Sequence, residues 1–189
     1  MENALQQLPF DGKRIVLYGP ESTGKTTLAK TLARHFSTGW VPEFARDYLQ
    51  QKWDTTQTVC SLEDLPIIVK GQLDLENSLV PQAQRFLFCD TNVLVTQIWS
   101  QTHFEGYCAP EIMHAVDLLA YDFYLLTDID VPWEKDDLRD RPQQRNTMLD
   151  FFEKELIRRN LPYQKLTGPH QERLLKTVSL LEKIFPKIK

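Results

Sequence analysis

Short apolar runs alternate along this chain with stretches of helical period. Lys13 to Tyr18 reads KRIVLY and is closed by Gly19-Pro20, which predicts a strand. Over residues 26–36, Leu28, Leu32 and Phe36 recur at helical spacing, so strand, loop and helix follow in direct succession. Trp40-Val41 is a candidate second strand, and residues 42–51 read as a helix with Pro42 in its first turn. Residues 61–84 form a longer helical stretch. Ser61 and Asp64 have capping-box spacing there, and Pro81 is the expected stop. Residues 85–89, RFLFC, predict a buried strand with Asp90 after its carboxyl end.

Helices are expected over residues 91–103 and 110–120, and a buried strand over 123–126. The pattern then changes. From residue 128 to 145 apolar residues thin out, charges of both signs crowd together, and Pro132 and Pro142 interrupt any regular element. This segment, about residues 128–147, reads as a mobile surface loop or lid. A helix resumes over 147–160 with Leu149, Phe152 and Leu156 on one face. Tyr163–Leu166 reads as a last strand, Gly168-Pro169 breaks it, and Leu174, Val178, Leu181 and Phe185 stripe a final helix. Such alternation implies a parallel sheet covered on both faces. The expected fold is α/β: a three-layer α/β/α P-loop NTPase architecture with five parallel strands, as one domain over residues 1–189.

Composition agrees with that outline. A chain of 189 residues with 42% hydrophobic and 25% charged residues suits one α/β domain with a real core. The net charge of -4 gives no reason to expect nucleic acid or membrane as the main partner. Residues 1–8 have neither a basic stretch nor a long apolar run, so no leader is expected. No segment has the length of a transmembrane helix. Cys60, Cys89 and Cys108 are odd in number and far apart, which argues for small buried hydrophobes in a reducing, cytoplasmic compartment rather than for a disulfide framework or a metal site.

The candidate chemistry begins where the first strand ends. Gly19-Pro20-Glu21-Ser22-Thr23-Gly24-Lys25-Thr26 fits G-x-x-x-x-G-K-[ST] in full, between a strand and a helix. Such a loop wraps phosphate with backbone N–H groups, and Gly19 and Gly24 permit the tight turn and close approach. The helix start aims its positive end at the anion. Lys25 can reach the β- and γ-phosphates, and the Thr26 hydroxyl can ligate Mg²⁺. The nucleotide set is therefore Gly19, Glu21, Ser22, Thr23, Gly24, Lys25, Thr26 and Thr27. Asp90, at a strand end, is the candidate acidic organiser of Mg²⁺, so the metal set is Thr26 and Asp90. There is no Asn-Lys-x-Asp segment, which favours ATP over a guanine switch. The length left over also lacks the sensor machinery of a ring ATPase or motor.

Other features point to an acceptor. Glu43 and Arg46 follow the first crossover, where a carboxylate can take a proton from a hydroxyl and a guanidinium can hold charge. Arg139, Arg141 and Arg145 lie in the expected lid, suited to stabilising charge on a moving phosphoryl group. Trp99, Tyr107, Tyr121 and Trp133 are candidates to stack on a flat ring.

Several motifs together resemble the ribosylnicotinamide kinase domain of NadR-type proteins. These are GPESTGKTTLA from Gly19, VPEFAR from Val41, FCDT from Phe88, Ile98-Trp99, YDFYLL from Tyr121, Pro132-Trp133 and Leu138-Arg139. The resemblance runs from about Lys13 to the C-terminal helix. It implies an enzyme that phosphorylates the 5′-hydroxyl of nicotinamide riboside with Mg-ATP, giving nicotinamide mononucleotide for NAD salvage. Lys25, Glu43, Asp90, Arg139 and Arg141 would then be catalytic. Glu43, Arg46, Asp90, Trp99 and Trp133 would face the riboside, with Glu43 ranked ahead of Asp90 as proton acceptor. The sequence departs from the resemblance at Asp137, where relatives often have glycine, and at Phe44, where tyrosine is commoner. NadR proteins of the full type carry an adenylyltransferase domain ahead of the kinase, and some a DNA-binding one. With only a dozen residues before the first strand, the expectation is a protein that stops at the mononucleotide and represses nothing. Two other readings stay open: a kinase for another nucleoside or small hydroxyl substrate, and a P-loop ATPase module acting through a partner.

Overall fold

In the computed structural model, which describes residues 5–186, the first apolar run is β1 (Lys13–Tyr18). Residues 1–4, part of the stretch searched for a leader, lie outside the described residues. Ile15, Val16, Leu17 and Tyr18 are inaccessible to solvent, because β1 is the central strand and is covered on both faces. Around it the remaining elements follow in order: α1 (Lys25–His35), β2 (Trp40–Val41), α2 (Phe44–Thr56), α3 (Asp64–Leu79), β3 (Phe86–Asp90), α4 (Val93–His103), α5 (Pro110–Leu118), β4 (Phe123–Thr127), α6 (Arg145–Arg158), β5 (Tyr163–Leu166) and α7 (His170–Ile184).

The five strands form one parallel sheet in the order β2-β3-β1-β4-β5. Val16 of β1 lies opposite Cys89 on one side and Tyr124 on the other. Alternate residues of β1 therefore feed two cores. Ile15 and Leu17 pack with Leu28 and Leu32 of α1 and Leu181 of α7. Val16 and Tyr18 pack with Leu94 and Ile98 of α4 and Phe152 and Leu156 of α6. This is the expected three-layer α/β/α arrangement. The chain leaves β1 for β2 and β3 on one side and later returns to β4 on the other. The crevice at the carboxyl ends of β1, β3 and β4 is thus a switch point, where such sheets bind ligands.

Several boundaries differ from the sequence reading. Pro42 lies ahead of α2 rather than in its first turn, with Glu43 as the N-cap. The long helical stretch shortens to α3, followed by a single 3₁₀ turn over Val80–Gln82 that contains Pro81. Asp64 accepts hydrogen bonds from the Ser61 N–H (2.7 Å) and hydroxyl (2.9 Å), so only the acidic half of the capping box forms. Asp90 is the last residue of β3 rather than the one after it. Among the described residues no helix is long and apolar enough to cross a membrane.

One helix contact is unusually close. Gly71 on α3 faces the Phe44 ring, and a Cβ built there would lie 2.3 Å from two ring atoms. Phe44 also stacks on Tyr48, with centroids 6.0 Å apart. The aromatic group therefore sits on the bare backbone of α3 and fixes where α2 begins, which in turn places Glu43. Gly71→Ala should lower stability by about 1–3 kcal/mol through overpacking. Thermal unfolding would register this, and an unchanged midpoint would show that Phe44 is free to move.

Candidate active site

β1 delivers the chain into Gly19, whose φ is +136°. A Cβ here would lie 2.9 Å from the carbonyl and hydroxyl oxygens of Thr127, so glycine is what lets the loop pass the end of β4. The loop turns through Ser22 (φ 54°) and Gly24 (φ 82°), both left-handed, and enters α1 at Lys25. The Thr23 hydroxyl ties it together. It donates to the Pro20 carbonyl at 2.8 Å and pairs with the Thr127 hydroxyl at 2.7 Å. Lys25 Nζ spans the loop and donates to the same Pro20 carbonyl at 2.6 Å.

Asp90 stands beside this loop at the end of the neighbouring strand, almost fully buried. Its Oδ2 accepts the Thr26 hydroxyl at 2.5 Å, while its Oδ1 has no hydrogen-bond partner among the described residues. A buried carboxylate oxygen without a donor is costly. Together with a Thr hydroxyl and an adjacent phosphate loop, it fits a hard divalent cation, which takes oxygen ligands and shares them with phosphate. Glu43, half-buried at the start of α2, borders the same space. Burial first, and the neighbouring Asp90 second, push its carboxyl up to about 7. Burial also raises Asp90, against the pull of Lys25 and the Thr26 hydrogen bond. With Asp90 buried beside Glu43, the two carboxyls resist ionising together.

These residues border a cavity of about 1090 Å³. One end is the phosphate loop with Lys30 of α1. The other is apolar, bounded by Leu65 and Ile68 of α3 and by Val95 and Trp99 of α4. Of the residues singled out from sequence, Glu21, Ser22, Thr23, Gly24, Lys25, Thr26, Thr27, Glu43, Arg46, Asp90, Trp99 and Arg139 line it together.

Others do not. Gly19 lies behind the loop, where its role is steric. Trp133 is not a lining residue; its ring carries the Arg145 guanidinium, 5.6 Å from the centroid. Tyr121 is turned into the core, where its hydroxyl donates to Glu76 at 2.9 Å, and Tyr107 is half exposed outside the cavity. Arg141 spends its guanidinium on the Thr102 carbonyl (2.9 Å) and Gln144. Arg145 donates to the Val131 and Ser22 carbonyls at 3.0 and 3.1 Å, so it supports the loop from behind. Phe44, seated on Gly71, does not line the cavity either.

Residues 128–145 contain one 3₁₀ turn, Pro142–Gln144, and hydrogen-bond to the phosphate loop at several points. The Glu134 N–H donates to the Ser22 hydroxyl at 2.9 Å and the Arg141 N–H to the Glu21 carboxylate at 3.4 Å. Burial raises Glu21 to about 7, with Asp140 adding to the rise and the Arg141 N–H opposing it. Asp136 accepts the backbone N–H groups of Leu138 and Arg139 and binds the Arg46 and Arg139 guanidiniums. The turn around Asp137 is thus built by a side chain rather than by a glycine.

The structure adds lining residues that pattern reading missed: Lys30, Trp40, Trp53, Cys60, His103, His170 and Arg173. His103 packs on Trp99 with centroids 4.6 Å apart. Burial and Arg141 lower its pKa. A signal for Arg173 was present. With Thr177 and Leu181 it falls at four-residue spacing, and all three are buried on α7.

A phosphate loop between β1 and α1, an acidic residue ending the adjacent strand, and a five-stranded parallel sheet flanked by helices define a P-loop protein of kinase-like fold. The chain belongs to the AAA domain family, which it matches over residues 14–173. It is 28% identical over 155 residues to the trifunctional NAD biosynthesis/regulator protein NadR of Escherichia coli K12, a match covering 79% of this chain and 38% of that protein. The chain thus spans well under half the length of that curated relative. A crystal structure of NadR protein in complex with NR superposes with a TM-score of 0.76 at 21% identity, covering 94% of this chain and 52% of the other. Thymidylate kinase from Ehrlichia chaffeensis gives 0.65 at 17% identity, covering 92% and 99%. These two likenesses establish the fold, and the NadR match bears out the resemblance carried by the motifs.

Proposed function

We propose that this protein is an ATP-dependent kinase that phosphorylates the 5′-hydroxyl of nicotinamide riboside, yielding nicotinamide mononucleotide in NAD salvage. The observation that carries the reading is the convergence of Glu43 and Asp90 on the cavity that Lys25 and Thr26 enter from the phosphate loop. The similarity to NadR supports the choice of acceptor.

In this reading Lys25 leaves the Pro20 carbonyl for the phosphates. Glu43, whose carboxyl titrates near neutral pH, accepts the proton of the acceptor hydroxyl as the bond to phosphorus forms. Phosphoryl transfer needs little covalent help, so positioning and charge dominate. Thr26 and Asp90 would hold Mg²⁺, which would neutralise phosphate charge there. Arg46 and Arg139, linked through Asp136, bring positive charge to the acceptor side. Trp99 offers its face to the ring. Residues 1–189 act as one domain, and the segment at about 128–147 acts as a lid docked on Glu21 and Ser22.

A second reading is a kinase for a different nucleoside, favoured by the likeness in fold to deoxyadenosine kinase from M.mycoides; a few contacts decide such preferences. The test is ADP release with Mg-ATP, comparing nicotinamide riboside, a panel of deoxyribonucleosides and no acceptor. Release that requires nicotinamide riboside, with the mononucleotide as product, is expected. Dependence on a deoxyribonucleoside instead would favour the second reading. Release indifferent to every acceptor would leave a P-loop ATPase.

A further inference from the structure

Arg173 is a charged residue that is almost wholly buried, only 2% exposed. It projects from α7 to the phosphate loop at the edge of the cavity and makes four contacts, one of them to the loop itself. Nη1 donates to the Thr23 carbonyl at 2.7 Å and Nε to the Gly168 carbonyl at 2.8 Å. Nη2 donates to the Asp128 carbonyl at 3.1 Å and pairs with the Asp130 carboxylate. One guanidinium thus joins the phosphate loop, the end of β4 and the turn after β5. A buried guanidinium persists only when its donors are satisfied in this way.

The contact to Thr23 has a consequence across the peptide plane. The described chain has no cis peptide bonds, and in a planar trans peptide the C=O and the following N–H point in opposite directions. Arg173 draws the Thr23 carbonyl into the protein, so the Gly24 N–H is turned the other way. Gly24 is exposed and lines the cavity, and no hydrogen bond among the described residues uses its N–H. The left-handed φ of Gly24 would let this peptide turn over readily, since glycine has no Cβ to oppose it. Something must hold it, and the Thr23 carbonyl is held by Arg173. Arg145 holds the preceding carbonyl, that of Ser22, in the same way.

We infer that Arg173 is a positioning residue for phosphate recognition, fixing the Thr23–Gly24 peptide with its N–H toward a bound polyphosphate. The inference rests on the nucleotide site proposed above. It differs from a merely structural tie in one measurable respect: its effect depends on how many phosphates the ligand carries.

The test is equilibrium binding of AMP, ADP and ATP, each with Mg²⁺, to wild type, Arg173→Met, Arg173→Lys and Asp130→Asn, alongside thermal unfolding of each. Loss of one charge-assisted hydrogen bond corresponds to about tenfold in affinity. Arg173→Met is therefore expected to weaken ADP and ATP about tenfold and AMP less than about twofold. Arg173→Lys, which keeps a cationic donor for the Thr23 carbonyl, should recover part of that loss. Asp130→Asn leaves Arg173 in place but less firmly held, so it should show a smaller loss of the same kind and keeps the test open if Arg173→Met does not fold. Equal weakening of all three nucleotides, or unchanged ADP affinity in a folded variant, would overturn the inference and leave Arg173 a structural tie. A wild type that binds none of the three, or binds AMP as tightly as ADP, would remove the nucleotide site itself.

Discussion

Lys25→Ala is expected to lower acceptor-dependent ADP release by about 10³-fold or more, the scale at which loss of a preorganised charge contact to a transition state is felt. Lys25 is largely buried against the loop, its ammonium on the Pro20 carbonyl. That contact marks the reach of the side chain across the loop mouth. Three nearby cations are otherwise engaged. Arg145 and Arg173 are committed to the carbonyls of Ser22 and Thr23, and Lys30 stands over the Trp40 ring at 5.0 Å. Initial rates at saturating acceptor and varied Mg-ATP are the measurement. Near-normal turnover would show that the phosphate loop is not where the reaction draws its charge.

The second large effect is expected at Glu43. Glu43→Gln should lower kcat by about 10²–10⁴-fold, the usual contribution of a positioned base, and raise the KM for ATP far less. The pH profile gives an independent sign. With its carboxyl raised to about 7, Glu43 is protonated on the acid side of neutrality in the free enzyme, so wild-type kcat/KM for the acceptor should rise with pH through about 7. In Glu43→Gln that limb should vanish.

Stability should move in the opposite sense. A carboxyl whose folded pKa exceeds its unfolded value costs the fold stability as pH rises from the unfolded pKa through the folded one. Above about pH 7 the Gln variant should therefore gain melting temperature relative to wild type, and near pH 4 the gain should disappear. An unchanged kcat would move the base role to Asp90, or to no residue at all, since loose transition states need little base help.

Much of this architecture was legible in the chain because the inner strands are buried on both faces. The run KRIVLY gave β1 its observed bounds, whereas β5, an edge strand in which only Leu166 is buried, was marked off by the Gly168-Pro169 break after it. The phosphate loop was legible because its residue types answer to backbone geometry that few others can adopt. Side-chain direction was harder to read. Trp133 and Arg145 both belong to a charged, proline-broken stretch with no period to orient them, and each chose the other as partner. Arg141 looked like a reacting-group ligand, yet its guanidinium is spent on Thr102 and Gln144. Arg173 was hidden for a different reason. An arginine on an amphipathic helix ordinarily marks the wet side, and only its spacing from Thr177 and Leu181 placed it on the dry one.

Three of the chain's four tryptophans, Trp40, Trp53 and Trp99, border the cavity at the phosphate loop. The fourth, Trp133, lies under Arg145 in the segment that leans on the phosphate loop. The protein therefore carries its own optical readout. Its ultraviolet emission arises almost wholly from indoles that a ligand would touch or that a shift of the 128–145 segment would disturb, so occupancy can be followed by eye of the spectrometer without a label.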